Sequence, residues 1–130
     1  MSKTIIIDTD ILVDVARGNE KAASFLDEIK SQNVAAISSV TEMELIVGCE
    51  NKKELANLET FLSDFKRIKL DMHISDEAAA LLRRFRLSHG LLIADALIAA
   101  TAKVTGTEFV SKNYKHFRFI PGLNLRQYLP

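Results

Sequence analysis

The most constraining feature of the sequence is a short run of β-branched residues near its start. The segment Thr4 to Asp8 reads Thr-Ile-Ile-Ile-Asp. A continuous apolar run without alternating polar positions is typical of a parallel strand that helices cover on both faces. The run therefore predicts a parallel sheet with this strand inside it. The strand ends in an acid, at the edge where open α/β sheets place their ligand crevices.

Helical and strand-like segments alternate along the rest of the chain, which favours an α/β fold with a mostly parallel central sheet. Helices are predicted over Ile11 to Arg17, Glu20 to Ser31, Ser39 to Gly48, Glu54 to Lys66, Ser75 to His89 and Ile93 to Thr105. Further strands are predicted over Val34 to Ser38, Arg67 to Leu70, Glu108 to Ser111 and Leu123 to Leu125. No linker, repeat or low-complexity segment interrupts this order, so we expect one domain over residues 1–130.

Composition excludes several classes of protein. The chain has 17 Lys and Arg residues against 17 Asp and Glu residues, which argues against a strongly basic nucleic-acid coat protein and against an acidic disordered tail. The single cysteine, Cys49, has no partner for an intrachain disulfide. The apolar run at the start is too short for a signal peptide, and no run reaches the roughly 18 residues of a membrane span. We therefore expect a cytoplasmic protein with no membrane segment.

Acidic residues at the start of the chain have competing interpretations. Asp8 occupies a site position at the end of the first strand, whereas an aspartate alone at such a point is more often a turn or helix-cap residue. Asp10 directly precedes the helical pattern that begins at Ile11, so we assign the cap to Asp10. Asp14 lies three residues before Arg17 on the same predicted helix, and we interpret the two as a solvated ion pair.

Two further acids interrupt apolar segments. Asp95 is the single charge in Leu91 to Ala102, a helix whose apolar surface predicts burial all round. A buried carboxylate must be neutralised, hydrogen-bonded or bound to a cation, although a helix cap or an arginine partner would serve equally. Glu44 shares a helix face with Val40 and Val47. Glu42, by contrast, fits a capping box opened by Ser39.

Converging carboxylates would repel one another and raise each other's pKa unless a cation held them ionised. With no nearby His or Cys ligand in the pattern, oxygen ligands select a hard divalent ion, Mg²⁺ or Mn²⁺. Such a site predicts metal-activated water attacking a phosphodiester.

The segment after the fourth predicted strand is rich in polar and basic side chains that suit a phosphate backbone. Its candidate RNA contacts are Lys112, Lys115, His116 and Arg118, beside the polar residues Ser111 and Asn113. A polar surface loop would look the same for the individual lysines and for Arg118. His116 fits a general acid or a surface histidine equally well.

Four segments, taken in order, resemble the PIN domain and specifically the VapC-type toxins of toxin–antitoxin pairs. They read Ile-Ile-Ile-Asp-Thr-Asp, Ser-Ser-Val-Thr-Glu-Met-Glu-Leu, Ile-Ala-Asp-Ala-Leu-Ile-Ala-Ala-Thr-Ala, and Phe-Val-Ser-Lys-Asn-Tyr-Lys-His-Phe. The resemblance implies a three-layer α/β/α fold and a Mg²⁺- or Mn²⁺-dependent endoribonuclease. It also implies a homodimer held inactive by a cognate VapB-like antitoxin.

The resemblance maps the family's metal-binding acids onto Asp8, Glu44 and Asp95. The family's fourth position, often Asp, falls on Asn113, whose amide can bind a metal or orient water but adds no charge. Ser111 matches the family's Ser or Thr. His116 stands where some relatives have an acid, so metal binding is not carried over to it.

Two other functions fit parts of the pattern. Asp8-Thr-Asp10 resembles the nucleophile motif of haloacid-dehalogenase-like phosphatases, in which Asp8 would attack phosphate and Asp10 would act as acid and base. That family also needs a downstream Lys and acidic pair, normally on a longer chain. Alternatively, the chain is a catalytically inactive PIN-like module that binds a protein partner.

Overall fold

A computed structural model describes residues 3–129, in which helices and strands follow one another in the predicted order. Met1, Ser2 and Pro130, at the ends of the predicted domain 1–130, lie outside the described residues. The strands are β1 (Thr4–Ile7), β2 (Val34–Ser38), β3 (Lys66–Ile68), β4 (Glu108–Ser111) and β5 (Leu125–Gln127). The helices are α1 (Thr9–Ala16), α2 (Glu20–Gln32), α3 (Ser39–Val47), α4 (Lys52–Leu62), α5 (Met72–His89) and α6 (Ile93–Thr105), followed by a 3-10 helix (Tyr114–His116).

The five strands form one sheet in the order β3-β2-β1-β4-β5, and every neighbouring pair is parallel. β1 occupies the centre, as its continuous apolar run predicts. Ile7 of β1 is opposite Val110 of β4, so the residues that follow these two strands emerge side by side. This register positions the candidate site.

Side chains of β1 separate the core into two layers, because successive residues of a strand point to opposite faces. Ile6 packs with residues of α5 and α6, including Ile74 and Ile98. Ile5 and Ile7 pack with Leu12 of α1 and with the apolar face of α2. All three isoleucines are fully buried, and each burial contributes about 1.5–3 kcal/mol. The predicted α/β/α layering is therefore confirmed.

Helix starts differ from the sequence-based assignments at three places. Asp8, not Asp10, caps α1, because β1 ends at Ile7 and the chain enters the helix at once. Ser38, not Ser39, caps α3 by accepting a 3.1 Å hydrogen bond from the Val40 N–H.

Glu42 is therefore no partner in a capping box. It forms a 2.9 Å ion pair with Arg67 of β3 instead. Asp71 caps α5 by accepting a hydrogen bond from the Ile74 N–H, so the helix begins before the predicted start at Ser75. This earlier cap lengthens α5 by three residues at its start.

The bounds of α4 and of the two outer strands also differ from the predicted ones. β3 pairs Lys66 with Ala36 and Ile68 with Ser38, so α4 ends at Leu62, four residues before the predicted end. β5 begins at Leu125, which lies opposite Phe109. Within residues 3–129, no helix combines the length and the apolar character that crossing a bilayer would require.

Candidate active site

The central strands bring two residues distant in sequence into contact at the carboxyl edge of the sheet. Asp8 follows β1, and its N–H donates a 3.0 Å hydrogen bond to the carbonyl of Val110 in β4. Ser111, the last residue of β4, donates its hydroxyl to Asp8 Oδ2 at 2.7 Å. Asp8 Oδ1 accepts the Thr9 N–H at 2.9 Å. Both oxygens of this carboxylate are thus fixed.

Asp8 is 5% exposed, and its surroundings disfavour its charged form. Burial raises the pKa of Asp8 from 3.8 to about 7, and the Asp10 carboxylate adds to the rise. The hydrogen bonds from Ser111 and Thr9 oppose this rise in pKa, while Asp95 reinforces it. The geometry therefore concentrates negative charge where little water screens it, which is the condition under which a bound cation is most stabilising.

Asp10 belongs to this cluster, and the sequence-based assignment of Asp10 to a helix cap is wrong. Its Oδ2 accepts the Asn113 N–H at 3.2 Å and lies 3.4 Å from the Ser111 hydroxyl. Its Oδ1 is buried and has no hydrogen-bond partner within the described residues. The signal available in the sequence was the second acid two residues after Asp8, because a helix that starts at Thr9 keeps both acids in one turn.

Asp95 lies in the first turn of α6 and is half-buried. Burial raises its pKa; His116, with Nδ1 3.9 Å from Asp95 Oδ2, lowers it, and Glu44 and Asp10 raise it. The start of α6 is less buried than its sequence predicts, because Leu92 and Ile93 are 57% and 69% exposed. Asp95 therefore lies at an opening and not in a closed core.

Glu44 is exposed on α3 and reaches the cluster through a threonine. Its Oε1 accepts the Thr9 hydroxyl at 2.6 Å, and that hydroxyl also lies 3.0 Å from Thr41 Oγ1. The predicted helix face with Val47 is not a buried one, because Val47 is 84% exposed. Thr9 is thus a positioning residue that the sequence pattern did not single out.

The polar segment after β4 contributes to the site unevenly. Asn113 contacts Asp10 through its backbone N–H. Lys112 is paired with Asp14 at 2.8 Å, so the predicted pair of Asp14 with Arg17 is wrong. Lys115, His116 and the more distant Arg118 are exposed. Phe117 is buried against Phe109, as expected of a core residue.

The donor set fits a divalent cation, although its side chains are not gathered around one point. Among residues 3–129, no three His, Cys, Asp or Glu side chains form a ready metal-binding group. The contacts explain why: the Glu44 carboxylate accepts a hydrogen bond from Thr9, and the Asp95 carboxylate lies beside His116. The buried, unpartnered Oδ1 of Asp10 is the oxygen that a hard cation would satisfy.

Comparison with known proteins agrees with this architecture. The PIN domain family model matches residues 5–121. Ribonuclease VapC19 of Mycobacterium tuberculosis (strain ATCC 25618 / H37Rv) is 38% identical over 120 residues, which cover 91% of this chain and 95% of that protein. The chain therefore belongs to the PIN-domain family, within its group of VapC ribonucleases.

Solved structures show the same fold. A chain from the crystal structure of VapBC2 from Rickettsia felis bound to a DNA fragment from their promoter has a TM-score of 0.80 at 27% identity, covering 96% of this chain and 98% of that one. A chain from a toxin–antitoxin complex from Klebsiella pneumoniae has a TM-score of 0.76 at 30% identity, covering 94% and 95%. The predicted family and fold are confirmed, and the phosphatase interpretation of Asp8 and Asp10 is not favoured.

Proposed function

We propose that this chain is an endoribonuclease that hydrolyses RNA phosphodiester bonds with Mg²⁺ or Mn²⁺, as the toxin of a toxin–antitoxin pair. The observation that carries the proposal is the cluster of Asp8, Asp10 and Asp95 at the carboxyl edge of a PIN-domain sheet. The VapC ribonucleases among its relatives support the choice of RNA as substrate.

In this proposal Asp8, Glu44 and Asp95 hold the cation, and Asp10 adds a fourth carboxylate. Asn113 stands at the family's fourth position, and it donates a hydrogen bond to Asp10 from its backbone N–H and not from its side-chain amide. The extra acid therefore supplies the charge that an asparagine at position 113 lacks. Ser111 orients the Asp8 carboxylate by its hydrogen bond.

A bound Mg²⁺ or Mn²⁺ would supply an activated water and stabilise charge on the phosphoryl oxygens. Side chains of the protein would transfer the proton and bind the phosphates. As the oxygen of the attacking water bonds to phosphorus and the bond from phosphorus to the leaving oxygen breaks, a carboxylate of the cluster would accept the proton of the water and solvent would protonate the leaving oxygen. Lys115 and Arg118 offer positive charge, and His116 offers hydrogen bonds, to the phosphates on either side.

A groove beside the site supports a VapB-like antitoxin as partner. The groove has a volume of about 660 Å³ and lies between α1, α3 and α4. Its walls include the apolar residues Val13, Leu45 and Phe61, and Glu44 also lines it. Apolar grooves of this kind accept the nonpolar face of an amphipathic helix. An antitoxin segment seated there would lie against Glu44 and obstruct the metal site.

Exposed apolar side chains support the homodimer that the family resemblance implies. α3 and α6 pack against each other, and both carry such residues. Met43 and Val47 of α3 are exposed, as are Leu92 and Ile93 at the start of α6. Exposed apolar side chains on neighbouring helices of a small domain are typical of an interaction site. Light scattering on the purified protein would measure the assembly directly.

The activity is tested by incubating the antitoxin-free protein with labelled single-stranded and structured RNAs. Reactions contain Mg²⁺, Mn²⁺ or EDTA, and the wild type is compared with Asp95→Asn. Asp27→Asn, on the exposed face of α2, is the matched control. We expect metal-dependent cleavage by the wild type and by Asp27→Asn, and none by Asp95→Asn.

Full cleavage by Asp95→Asn would contradict the site assignment. A folded wild-type protein that cuts no RNA with either metal would contradict the ribonuclease proposal. That second result would favour an inactive PIN-like binding module.

A further inference from the structure

A small cavity opens beside Asp95, at the start of α6. It has a volume of about 230 Å³ and lies between the α5–α6 turn and the 3-10 helix. Pockets for drug-sized ligands are roughly 300–1,000 Å³, so this cavity suits a smaller group such as one planar ring system. Because Asp95 forms part of its wall, an occupant would lie next to the candidate catalytic acids.

One wall of the cavity is an aromatic platform. The His89 ring stacks on the Phe119 ring with centroids 4.1 Å apart and planes 18° apart. Phe85 packs edge-on against His89, and the Ser88 hydroxyl lies 2.7 Å from His89 Nδ1. These contacts fix the ring, yet His89 remains exposed. A stacking surface is therefore preorganised at the cavity.

The turn that carries this platform is also held in place. Arg86 Nη1 donates to the carbonyls of Gly90 at 3.0 Å and Leu91 at 3.3 Å. Gly90 ends α5 with φ +68°, a left-handed conformation that glycine adopts without strain. The α5–α6 side of the cavity is thus fixed before any ligand arrives.

Another part of the cavity lining carries basic side chains. Lys115 and His116 of the 3-10 helix line the cavity, and both are exposed. Lys115 forms no ion pair with any residue between 3 and 129, so its ammonium group is available to an anion. An aromatic surface and a lysine lining one cavity are the combination by which proteins bind single-stranded nucleic acid, with bases on rings and phosphates on cations.

We propose that this cavity binds one nucleotide of a single-stranded RNA substrate, with the base on the His89 ring and a phosphate at Lys115. This inference rests on the proposed ribonuclease activity and adds a subsite next to the cut phosphodiester. Paired bases in a helix are stacked on their neighbours, so only an unpaired nucleotide can enter. His89 is then a specificity-determining residue outside the acidic cluster.

The test is direct binding in EDTA, which prevents metal-dependent cleavage. Fluorescein-labelled short homopolymers of A, C, G and U are titrated with protein, and fluorescence anisotropy gives each Kd. We expect His89→Ala to weaken the tightest homopolymer about tenfold, as loss of one stacked base does. His89→Phe keeps a stacking ring and should stay within about threefold of the wild type.

The charge contribution is measured in the same titrations. Lys115→Ala should weaken all four homopolymers alike and reduce the slope of log Kd against log salt by about 1. Matched controls are His73→Ala, near the other end of α5, and Lys53→Ala on α4, both of which should bind as the wild type does. Circular dichroism checks that each variant retains the fold.

Equal affinities for His89→Ala and His73→Ala would overturn the subsite, as would a His89→Phe variant that binds no better than His89→Ala. A parallel cleavage assay separates the two proposals. A wild type that cuts RNA while His89→Ala keeps the same KM overturns the subsite alone. A folded wild type that neither binds nor cuts RNA overturns the ribonuclease proposal, and the subsite with it.

Discussion

Ser111 donates a 2.7 Å hydrogen bond to the carboxylate of Asp8, joining two residues that lie 103 positions apart in the chain. The bond exists because β1 and β4 are neighbouring parallel strands whose carboxyl ends coincide. Ser111 is fully buried, so this hydroxyl is a fixed part of the sheet edge. The same hydroxyl also accepts the Asn113 N–H at 3.0 Å.

Ser111→Ala should lower stability by about 1.5–3 kcal/mol near pH 8, because a hydrogen bond to a charged group is lost. Ser111→Thr retains the hydroxyl and is the matched control. Urea unfolding at about pH 8 and about pH 5 measures both variants. The loss should shrink at the lower pH, where Asp8 is protonated. An equal loss at both pH values would contradict the assignment of the effect to the Asp8 charge.

The metal-free protein should become less stable as the pH rises from about 4 to about 7. Asp8 has a pKa raised to about 7 when folded against 3.8 otherwise, so the folded state binds this proton more tightly than the unfolded chain does. The stabilisation is complete at pH values below the pKa of Asp8 in the unfolded chain, and it has disappeared once the pH exceeds the pKa in the folded state. The free energy of unfolding changes by about 4 kcal/mol at most over this range. Denaturation in EDTA across this range measures it.

Asp8→Asn provides the reference for that pH dependence. Asparagine keeps a cap for α1 but has no proton to lose, so its stability should be flatter between about pH 4 and pH 7. Parallel curves for the wild type and Asp8→Asn would contradict the prediction.

Asp10→Asn should stabilise the metal-free protein and weaken its binding of Mn²⁺ about tenfold. The substitution removes a charge that repels Asp8 and replaces one carboxylate oxygen, a cation ligand, with an amide nitrogen. Isothermal titration with Mn²⁺ and thermal melts in EDTA measure the two effects. Asp14→Asn, on the same helix but paired with Lys112, is the control. Unchanged Mn²⁺ affinity in Asp10→Asn would remove Asp10 from the metal-binding set.

Phe117→Ala should cost about 3–5 kcal/mol of stability, as expected for a large side chain deleted from a core. Phe117 is 1% exposed and packs edge-on against Phe109, with centroids 4.9 Å apart. Tyr114→Ala, in the same segment but exposed, should change stability by no more than about 0.5 kcal/mol. Chemical denaturation of both variants tests the difference, and similar losses would contradict the role of Phe117 as the anchor of this segment.

The layers of the fold could be predicted from sequence because hydrophobic periodicity reports them directly. The unbroken Ile5 to Ile7 run indicated a strand covered on both faces, and the structure buries all three residues completely. The end of that strand gave the position of Asp8. Asp95 drew attention because a carboxylate among apolar residues requires a stabilising partner.

Contacts between distant segments could not be predicted in this way. Asp14 pairs with Lys112, 98 positions away, and a local rule of helical spacing assigned it instead to Arg17. Glu42 looked like half of a capping box until β3 brought Arg67 beside it. Asp10 was misassigned because the end of β1 was placed one residue too late: Asp8 caps α1 while remaining in the site, and Asp10 joins it there.

The distance along the chain between Asp8 and Ser111 also determines when the site can form during protein synthesis. At about 5–20 residues per second, a ribosome takes about 5–20 s to add the 103 residues that separate them. During that interval β1 lacks its neighbour β4, and the edge that carries the acids is incomplete. A nascent chain of this protein therefore carries no finished site until β4 and Ser111 have been synthesised and have paired with β1.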